Sequence, residues 1–372
     1  MRFLVITFAE HKSNNNNIYS YGPYVKEMNL WLKHVDEFVL VAPFKNTNVI
    51  NIDSCYDFNA TKIYSIPSLH FKSLKRFLFS LLSLPRIIWV LFLAMKTSDH
   101  IHLRCPGNVG LIACLVQIFL PSKMKTVKYA GNWDPNAQKP LSYKLQRWIL
   151  SNTFLTKNTK VLVYGEWPNQ SKNIVPFYTA TYREDEKEAV KKRDLEGVIQ
   201  FVFVGTLSTG KRPEYAIELV NELIKDGVNC KLDFYGEGEQ RKSLEEFIIS
   251  HGLTGCVSLH GNTNAKTVKA ALKKTHFVVL PSKSEGWPKA IAEGMFWGAI
   301  PLATNVSCLE YMLDKGNRGI LLNLNLKTDT QAIKYILAQP EAFHSMADAA
   351  VQWSRQFTLD RFENDIKQSL QN

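Results

Sequence analysis

The sequence predicts an α/β protein built as two doubly wound parallel sheets, one in each half of the chain. Three observations carry this. Short buried-strand patterns alternate with helical patterns, as parallel strands require, since each must be joined to the next by a crossover. The alternation stops at a charged segment, TYREDEKEAVKKRDLEG from Thr181 to Gly197, and then begins again. The length, 372 residues, exceeds what one hydrophobic core ordinarily serves.

Phe3 to Phe8 reads as the first buried strand. The apolar run is too short for a secretory leader, lacks a small-residue cleavage site and stops at Glu10. Asn14 to Asn17 reads as a mobile polar loop, and Tyr21-Gly22-Pro23 opens the first helix. Phe38 to Ala42, His100 to Leu103, Thr126 to Tyr129 and Val161 to Tyr164 are further buried strands. Between them, residues 70–96 hold nineteen largely apolar positions from Phe77 to Met95, long enough to suggest a membrane span. Pro85 and Arg86 divide that run, and an arginine near a bilayer centre costs about 2.5–3.5 kcal/mol even on lenient scales. With Lys72, Lys75, Arg76 and Trp89 around it, an interfacial helix fits better, with an ordinary buried helix as the alternative.

Residues 181–198 show no apolar periodicity and are expected to form an exposed connection. Six short strands follow: Ile199 to Gly205, Cys230 to Gly236, Val257 to Gly261, His276 to Ser282, Ile300 to Thr304 and Arg318 to Leu322. Two amphipathic stretches close the chain, and periodicity leaves open which domain the last one packs on. The expected organisation is a first domain over 1–180, a linker over 181–198, a second domain over 199–356 and a terminal helix over 357–372.

Composition is globular, 45% hydrophobic and 21% charged, but the net charge of +11 is unevenly placed. Residues 1–180 hold 21 Lys and Arg against 9 Asp and Glu, and the remainder hold 24 against 25. The basic half points to an anionic partner, nucleic acid or an anionic membrane surface, against the plainer reading of lysines that keep the domain soluble. The six cysteines form no C-x-x-C and sit mostly in apolar runs, as core residues of a reduced, cytoplasmic compartment do.

Chemistry concentrates in the second half, where four strand-end loops carry what a nucleoside diphosphate needs. GTLSTGKR follows the first strand, with Gly205 and Thr206 at its start and two cations, Lys211 and Arg212, at its end. Gly236 and Gly238 follow the second strand and His260 ends the third; alone, each of these is an ordinary turn or strand-end residue. The fourth loop, SEGWPKAIAEGMFWGAIPLAT, places Glu285 in a turn and Pro288 at the opening of a helix near Trp287. The helix's free N–H groups and positive dipole end suit an anion. Glu293 follows inside it. Two helical carboxylates eight residues apart would be separated by roughly 12 Å, too far to share a proton or a metal and suited to two ends of one elongated ligand.

These residues resemble the retaining glycosyltransferases of family 4. The likeness is most specific in that fourth loop, which looks like the family's pattern E-G-[FW]-[GP]-x-x-x-x-E-[AG]-M-x-x-G-x-P, and it covers residues 199–322. The resemblance implies the GT-B fold, two Rossmann-like domains facing across a cleft. It implies Glu285 beside the hydroxyls of the donor sugar and Glu293 on the nucleotide ribose. Lys211 takes the place of the diphosphate lysine, and Gly205, Thr206, Gly236, Gly238, His260, Gly286, Trp287, Pro288 and Lys289 line the donor. Thr206 stands where the family has arginine, with Arg212 as the compensating cation. In the first half only the placement of features agrees. It suggests Gly22, His102, Arg104, Lys128, Tyr129 and Asn132 on the acceptor side, without the histidine that many members carry at the end of TVKYAGNW.

The implied activity is transfer of a sugar, with retained configuration and no metal or other cofactor, from a nucleotide sugar to a glycan or polyprenyl-linked acceptor. Peripheral contact with an anionic membrane through residues 70–96 is the expected location, on the inner face of the plasma membrane. A GT-B epimerase or phosphorylase and a nucleotide-sugar-binding protein without transferase activity are the alternatives. Nucleic acid is not expected as a partner, since no aromatic-interleaved recognition motif accompanies the basic residues.

Overall fold

The computed structural model describes residues 1–15, 17–50, 52–69 and 74–371, with the backbone alone for 74–78. The chain divides into two compact units, Met1–Phe177 with Phe362–Asn372, and Tyr178–Arg361.

The first unit is built on a seven-stranded parallel sheet. Its elements in chain order are β1 (Arg2–Ile6), β2 (Lys12–Asn14), β3 (Asn17–Tyr21), α1 (Gly22–Leu32), β4 (Glu37–Pro43), β5 (Asp53–Cys55), β6 (Lys62–Ile66), α2 (Leu74–Lys96), β7 (His100–Cys105), α3 (Asn108–Val116), β8 (Met124–Tyr129), α4 (Leu141–Ser151), β9 (Thr159–Tyr164) and β10 (Ile174–Phe177). The sheet order is β10-β9-β8-β7-β1-β4-β6. Strands covered on both faces must be apolar throughout, and Phe3 to Ile6 and Phe38 to Ala42 are buried along their whole length. The chain runs outward from β1 to β6, then returns to lay β7 on the other side of β1. Such a reversal leaves a crevice at the strands' carboxyl ends.

Parts of the first unit differ from the sequence expectation. Asn14 to Asn17 is not a free loop: β2 and β3 pair antiparallel with Asn14 opposite Asn17, and β5 completes a small three-stranded sheet. Asn15 turns the corner with φ of 47°, a conformation asparagine tolerates, and Asn16 lies outside the described residues. The edge strands β6 and β10 went unpredicted.

Within the 70–96 segment, Leu74–Lys96 form one helix, α2, across Pro85, and residues 70–73 lie outside the described residues. Its second half is a core helix: Ile87, Leu91, Ala94 and Met95 recur on one face and are fully buried. Its outer face leaves Phe79, Leu82 and Trp89 exposed by 61, 81 and 62%, beside exposed Arg86. The stretch Phe79–Lys96 is long and apolar enough to cross a bilayer by length and composition. Lys72 and the side chains of Lys75 and Arg76 lie outside the described residues.

The second unit repeats the plan with β11 (Ile199–Val204), α5 (Pro213–Lys225), β12 (Cys230–Tyr235), α6 (Arg241–Ser250), β13 (Val257–Leu259), α7 (Ala265–Leu272), β14 (Phe277–Leu280), α8 (Lys289–Phe296), β15 (Ile300–Thr304), α9 (Leu309–Leu313), β16 (Ile320–Leu322), α10 (Leu326–Leu337) and α11 (Pro340–Ser354). All six expected strands are present, in the order β13-β12-β11-β14-β15-β16. The reversal falls between β11 and β14, so the two cation- and carboxylate-bearing loops leave adjacent strands.

The segment 181–198 is largely exposed, as expected, but it is also strapped to the second unit. Arg193 donates to the carbonyls of Thr275 (3.0 Å) and Trp297 (2.7 Å). Glu186 and Glu188 accept from Lys269 and Lys273 of α7 and the turn after it. Val190 fills the space over Gly298, where a Cβ would lie 2.4 Å from its methyl group. A strap held through charged side chains and carbonyls has no apolar period to read. The last helix, α12 (Leu359–Gln371), buries Phe362, Ile366 and Ser369, and Phe362 meets Phe177 at 5.3 Å within the first unit.

Candidate functional site

The strand-end loops of the second unit are tied to one another through backbone. Gly205 N–H donates to Tyr235 (3.0 Å), Leu207 to Glu237 (3.0 Å), Gln240 to Leu207 (3.0 Å) and Gly236 to Gly261 (2.9 Å). This explains two glycines differently from the sequence reading. A Cβ on Gly236 would lie 1.9 Å from the Gly205 carbonyl oxygen, and one on Gly238 2.2 Å from that of Leu207. Their missing side chains admit the neighbouring loop. Thr206 is exposed beside them.

The loops after β11 and β14 meet as well. Lys283 N–H donates to the Gly210 carbonyl at 2.8 Å, and Lys211 Nζ donates to Glu285 Oε1 at 2.5 Å. The pair is unequal: the Glu285 side chain is 8% exposed and that of Lys211 28%. Arg212 follows in the left-handed region (φ 51°, ψ 51°), with Nη1 3.3 Å from the Pro281 carbonyl and Pro213 opening α5. Proline disfavours the right-handed conformation before it, and an arginine held left-handed costs about 1–2 kcal/mol. Two cations and one carboxylate thus stand where the strand order reverses.

Helix α8 begins at Lys289 with Pro288 as its cap. The Gly286 carbonyl accepts from Ser307 Oγ at 3.1 Å, which holds the turn open. Trp287 does not present its ring to a ligand: it is buried against Trp353 (6.1 Å) and Phe357 (5.5 Å). Glu285 lies in the loop and only Glu293 in the helix, so the helical spacing between them does not apply. Glu293 accepts from Thr181 Oγ1 at 2.7 Å, in a small recess it shares with Tyr182, Lys289 and Phe296. Burial pushes its carboxyl above the usual carboxylate range. His260 is exposed, stacks on Tyr235 at 4.8 Å and holds Asp233 Oδ1 at 2.6 Å, a strand-end contact. Among the described residues no group of three or more His, Cys, Asp or Glu side chains could hold a metal ion.

The residues expected on the acceptor side mostly fall in the interior. His102 is fully buried, 4.4 Å from the Trp31 ring, with Nδ1 2.9 Å from Thr126 Oγ1. Burial, with help from Arg104, lowers its pKa to about 3. Lys128 is fully buried with Nζ over the rings of Phe177 (4.2 Å) and Tyr164 (4.7 Å). Tyr129 is buried edge-on to Trp133 at 4.8 Å. Asn132 Oδ1 accepts from Asp134 N–H at 2.8 Å and shapes a turn. Gly22 donates to the Ile52 carbonyl, and a Cβ there would lie 2.8 Å from Ser54 Oγ. Of these residues, Arg104, one alternation beyond His102 on β7, lines a cavity. That cavity, about 700 Å³, opens at the carboxyl ends of β1, β4 and β7. Phe8, Lys12, Tyr21 and Asn108 line it and were not predicted; the signal that could have found Phe8 is its place just after the central strand.

Residues 184–353 match the family described as glycosyl transferases group 1. An α-D-kanosaminyltransferase of Streptomyces kanamyceticus is 28% identical over 40% of this chain and 39% of its own length. The chain spans less than half the length of three of the curated relatives it matches. Among solved structures, Anabaena HepE in complex with UDP and glucose aligns with TM-score 0.68 and 12% identity over 100% of this chain and 99% of that one. WaaG, a glycosyltransferase involved in lipopolysaccharide biosynthesis, aligns with TM-score 0.65 and 11% identity over the whole of both chains. The chain therefore carries a glycosyltransferase group 1 domain in its second unit, and its two parallel α/β units have the GT-B fold.

Proposed function

We propose that this chain is a retaining, metal-independent glycosyltransferase of family 4. It moves a sugar from a nucleoside-diphosphate sugar, held by the second unit, to a glycan or polyprenyl-linked glycan held by the first. The observation that carries this reading is the Lys211–Glu285 pair at the strand reversal of the group 1 domain.

In the unliganded chain the two charges neutralise each other. A bound donor offers each a better partner: the diphosphate takes Lys211 and Arg212, and the sugar hydroxyls take Glu285. As the glycosidic bond to phosphate breaks, negative charge grows on the leaving diphosphate and positive charge on the sugar ring. Lys211, Arg212 and the N–H groups at the start of α8 are donors preset for the first. They supply the charge that a metal supplies elsewhere. Glu285 orients the sugar, and the acceptor hydroxyl attacks from the face that the nucleotide leaves, without a covalent intermediate. Glu293 holds the ribose hydroxyls at the other end.

Binding of UDP and glucose by HepE favours a UDP-sugar as donor, and the role of WaaG in lipopolysaccharide synthesis favours a surface polysaccharide as product. Peripheral contact with the inner face of an anionic membrane fits the exposed Phe79, Leu82 and Trp89 of α2 beside Arg86. A thermal-shift screen against UDP-, GDP- and dTDP-sugars tests the reading, since a ligand at a hundred times its Kd stabilises by about 2.7 kcal/mol. Stabilisation by one nucleotide sugar, followed by acceptor-dependent release of the nucleotide, is expected. Conversion of the donor without any acceptor would make the chain an epimerase, and binding without transfer a nucleotide-sugar-binding protein.

A further inference from the structure

The cavity of the first unit has a chemistry at odds with its surroundings. The half of the chain that builds it is strongly basic, yet each charged group on its lining is matched. Arg104 Nη1 lies 2.7 Å from Glu27 Oε1, Lys12 Nζ 2.6 Å from Asp53 Oδ2, and Glu10 Oε1 2.6 Å from Lys45 Nζ. The first two pairs are largely buried, so neither cation is offered to an incoming anion. The Arg104 guanidinium also lies over the Tyr24 ring at 5.0 Å, which fixes it further.

The uncharged wall is apolar and exposed. Phe8 and Tyr21 are 48% and 54% exposed, and Ile50 and Ile52 are about half exposed on the same cavity. Large apolar side chains left in water around one concavity mark a binding surface. The Phe8 ring lies close over Gly107 at the start of α3, where an added Cβ would come 2.9 Å from its Cδ1. Asn108 donates its amide to the Leu69 carbonyl at 3.1 Å, which orients its side chain at the cavity's edge.

We propose that this cavity binds an uncharged sugar residue, the terminal unit of the acceptor, with its C–H face against Phe8 and Tyr21. The anionic part of any lipid-linked acceptor stays outside it. An aromatic face is electron-rich and favours the weakly positive C–H groups of a pyranose ring, and a charge-balanced lining gives no anion a reason to enter. The word acceptor rests on the transferase reading; the sugar site does not.

Saturation-transfer NMR on the full chain tests it, using neutral p-nitrophenyl hexopyranosides against p-nitrophenyl glucuronide and glucose 1-phosphate. Ring C–H protons of at least one neutral glycoside should show transfer, and the affinity should fall at least tenfold in Phe8→Ala. Gly107→Ala, which displaces the Phe8 ring without removing it, should weaken binding by a smaller factor. Thermal shift with nucleotide sugars, run on the same proteins, reports on the second unit and on folding. The proposal is overturned if no neutral glycoside binds, if the anionic probes bind as well as the neutral ones, or if both variants bind as wild type does. Glycoside binding with no stabilisation by any nucleotide sugar would instead remove the transferase reading and leave the sugar site standing.

Discussion

Replacing Lys211 by methionine separates what the Lys211–Glu285 pair does for folding from what it does for transfer. Methionine keeps much of the length and apolar stem but leaves Glu285, 8% exposed, without its cation. Removing one partner of a fully buried pair costs about 3–5 kcal/mol and of a surface pair about 0–1. Lys211 is 28% exposed, so the cost falls between, at about 2 kcal/mol. For a unit of this size each kcal/mol lowers Tm by about 2–4 °C, giving a drop of about 4–8 °C. Turnover should fall more steeply, about 100- to 1000-fold, because a donor preset for the leaving diphosphate is lost. Calorimetry and release of nucleoside diphosphate at saturating donor measure the two. The double variant Lys211→Met with Glu285→Gln decides between roles: no unpaired carboxylate remains, so Tm should recover while turnover stays low. A Lys211→Met enzyme turning over within threefold of wild type would reduce the pair to a structural contact.

Glu293→Gln should stabilise the folded chain at neutral pH and weaken donor binding. Its folded pKa is raised by burial, so the folded state holds the proton more tightly than the unfolded one. The stability cost is absent below the ordinary carboxylate pKa and grows as pH rises to the folded value. The glutamine gain in Tm should therefore be present at pH 7 and vanish near pH 4; a gain at both would assign it to packing. Acid should act on the first unit through buried neutral histidines. Burial lowers His102 to about 3, and His11 and His100 to about 4. Each contributes stability present above the ordinary value near 6.5 and lost below it, at about 1.4 kcal/mol per pH unit. His102→Gln should flatten the decline in unfolding free energy between pH 6.5 and 5 as chemical denaturation across pH reads it, and an unchanged slope would mean that His102 is not buried neutral. On the surface, Leu82→Ser with Trp89→Ser should abolish flotation with anionic vesicles and leave donor binding intact; equal flotation by the variant would place membrane contact elsewhere.

The second unit was legible in the sequence because its central strands, β11, β14 and β15, are apolar and buried almost throughout, and the first two run straight into a glycine or a proline. Ile199 to Gly205 and His276 to Ser282 are examples, and the site loops follow them directly. What spacing could not show is pairing. Lys211 and Glu285 are 74 residues apart, and only the adjacency of β11 and β14 brings them together. The first unit was less legible for two physical reasons. Its edge strands carry weak signals: β6 is largely exposed, and β10 includes Pro176, which an edge strand tolerates. Depth along a strand is also invisible to residue type. His102 and Arg104 share one face of β7, yet one alternation decides that His102 packs on Trp31 while Arg104 reaches the cavity.

That last distinction bears on where the basic charge belongs. Residues 70–157 contain 13 Lys and Arg against two acidic residues, Asp99 and Asp134, while the cavity of the same unit is charge-balanced. The excess therefore is not spent on the pocket. Part of it lies on α2, with Arg86 and Lys96, and on α4, with Lys144 and Arg147, two crossovers that both pack against α3. There α4 repeats the pattern of α2: Leu141, Leu145 and Trp148 recur at helical spacing and are exposed, with Lys144 exposed between them. Cations set among exposed aromatic and aliphatic side chains suit an anionic bilayer, where the charges add about 1 kcal/mol each near the surface and the apolar groups insert. The two properties can then be removed separately. Neutralising Arg86 and Lys144 should weaken attachment in a salt-dependent way without touching affinity for a neutral glycoside, whereas Phe8→Ala should do the reverse. A chain in which either change altered both would have one surface and not two.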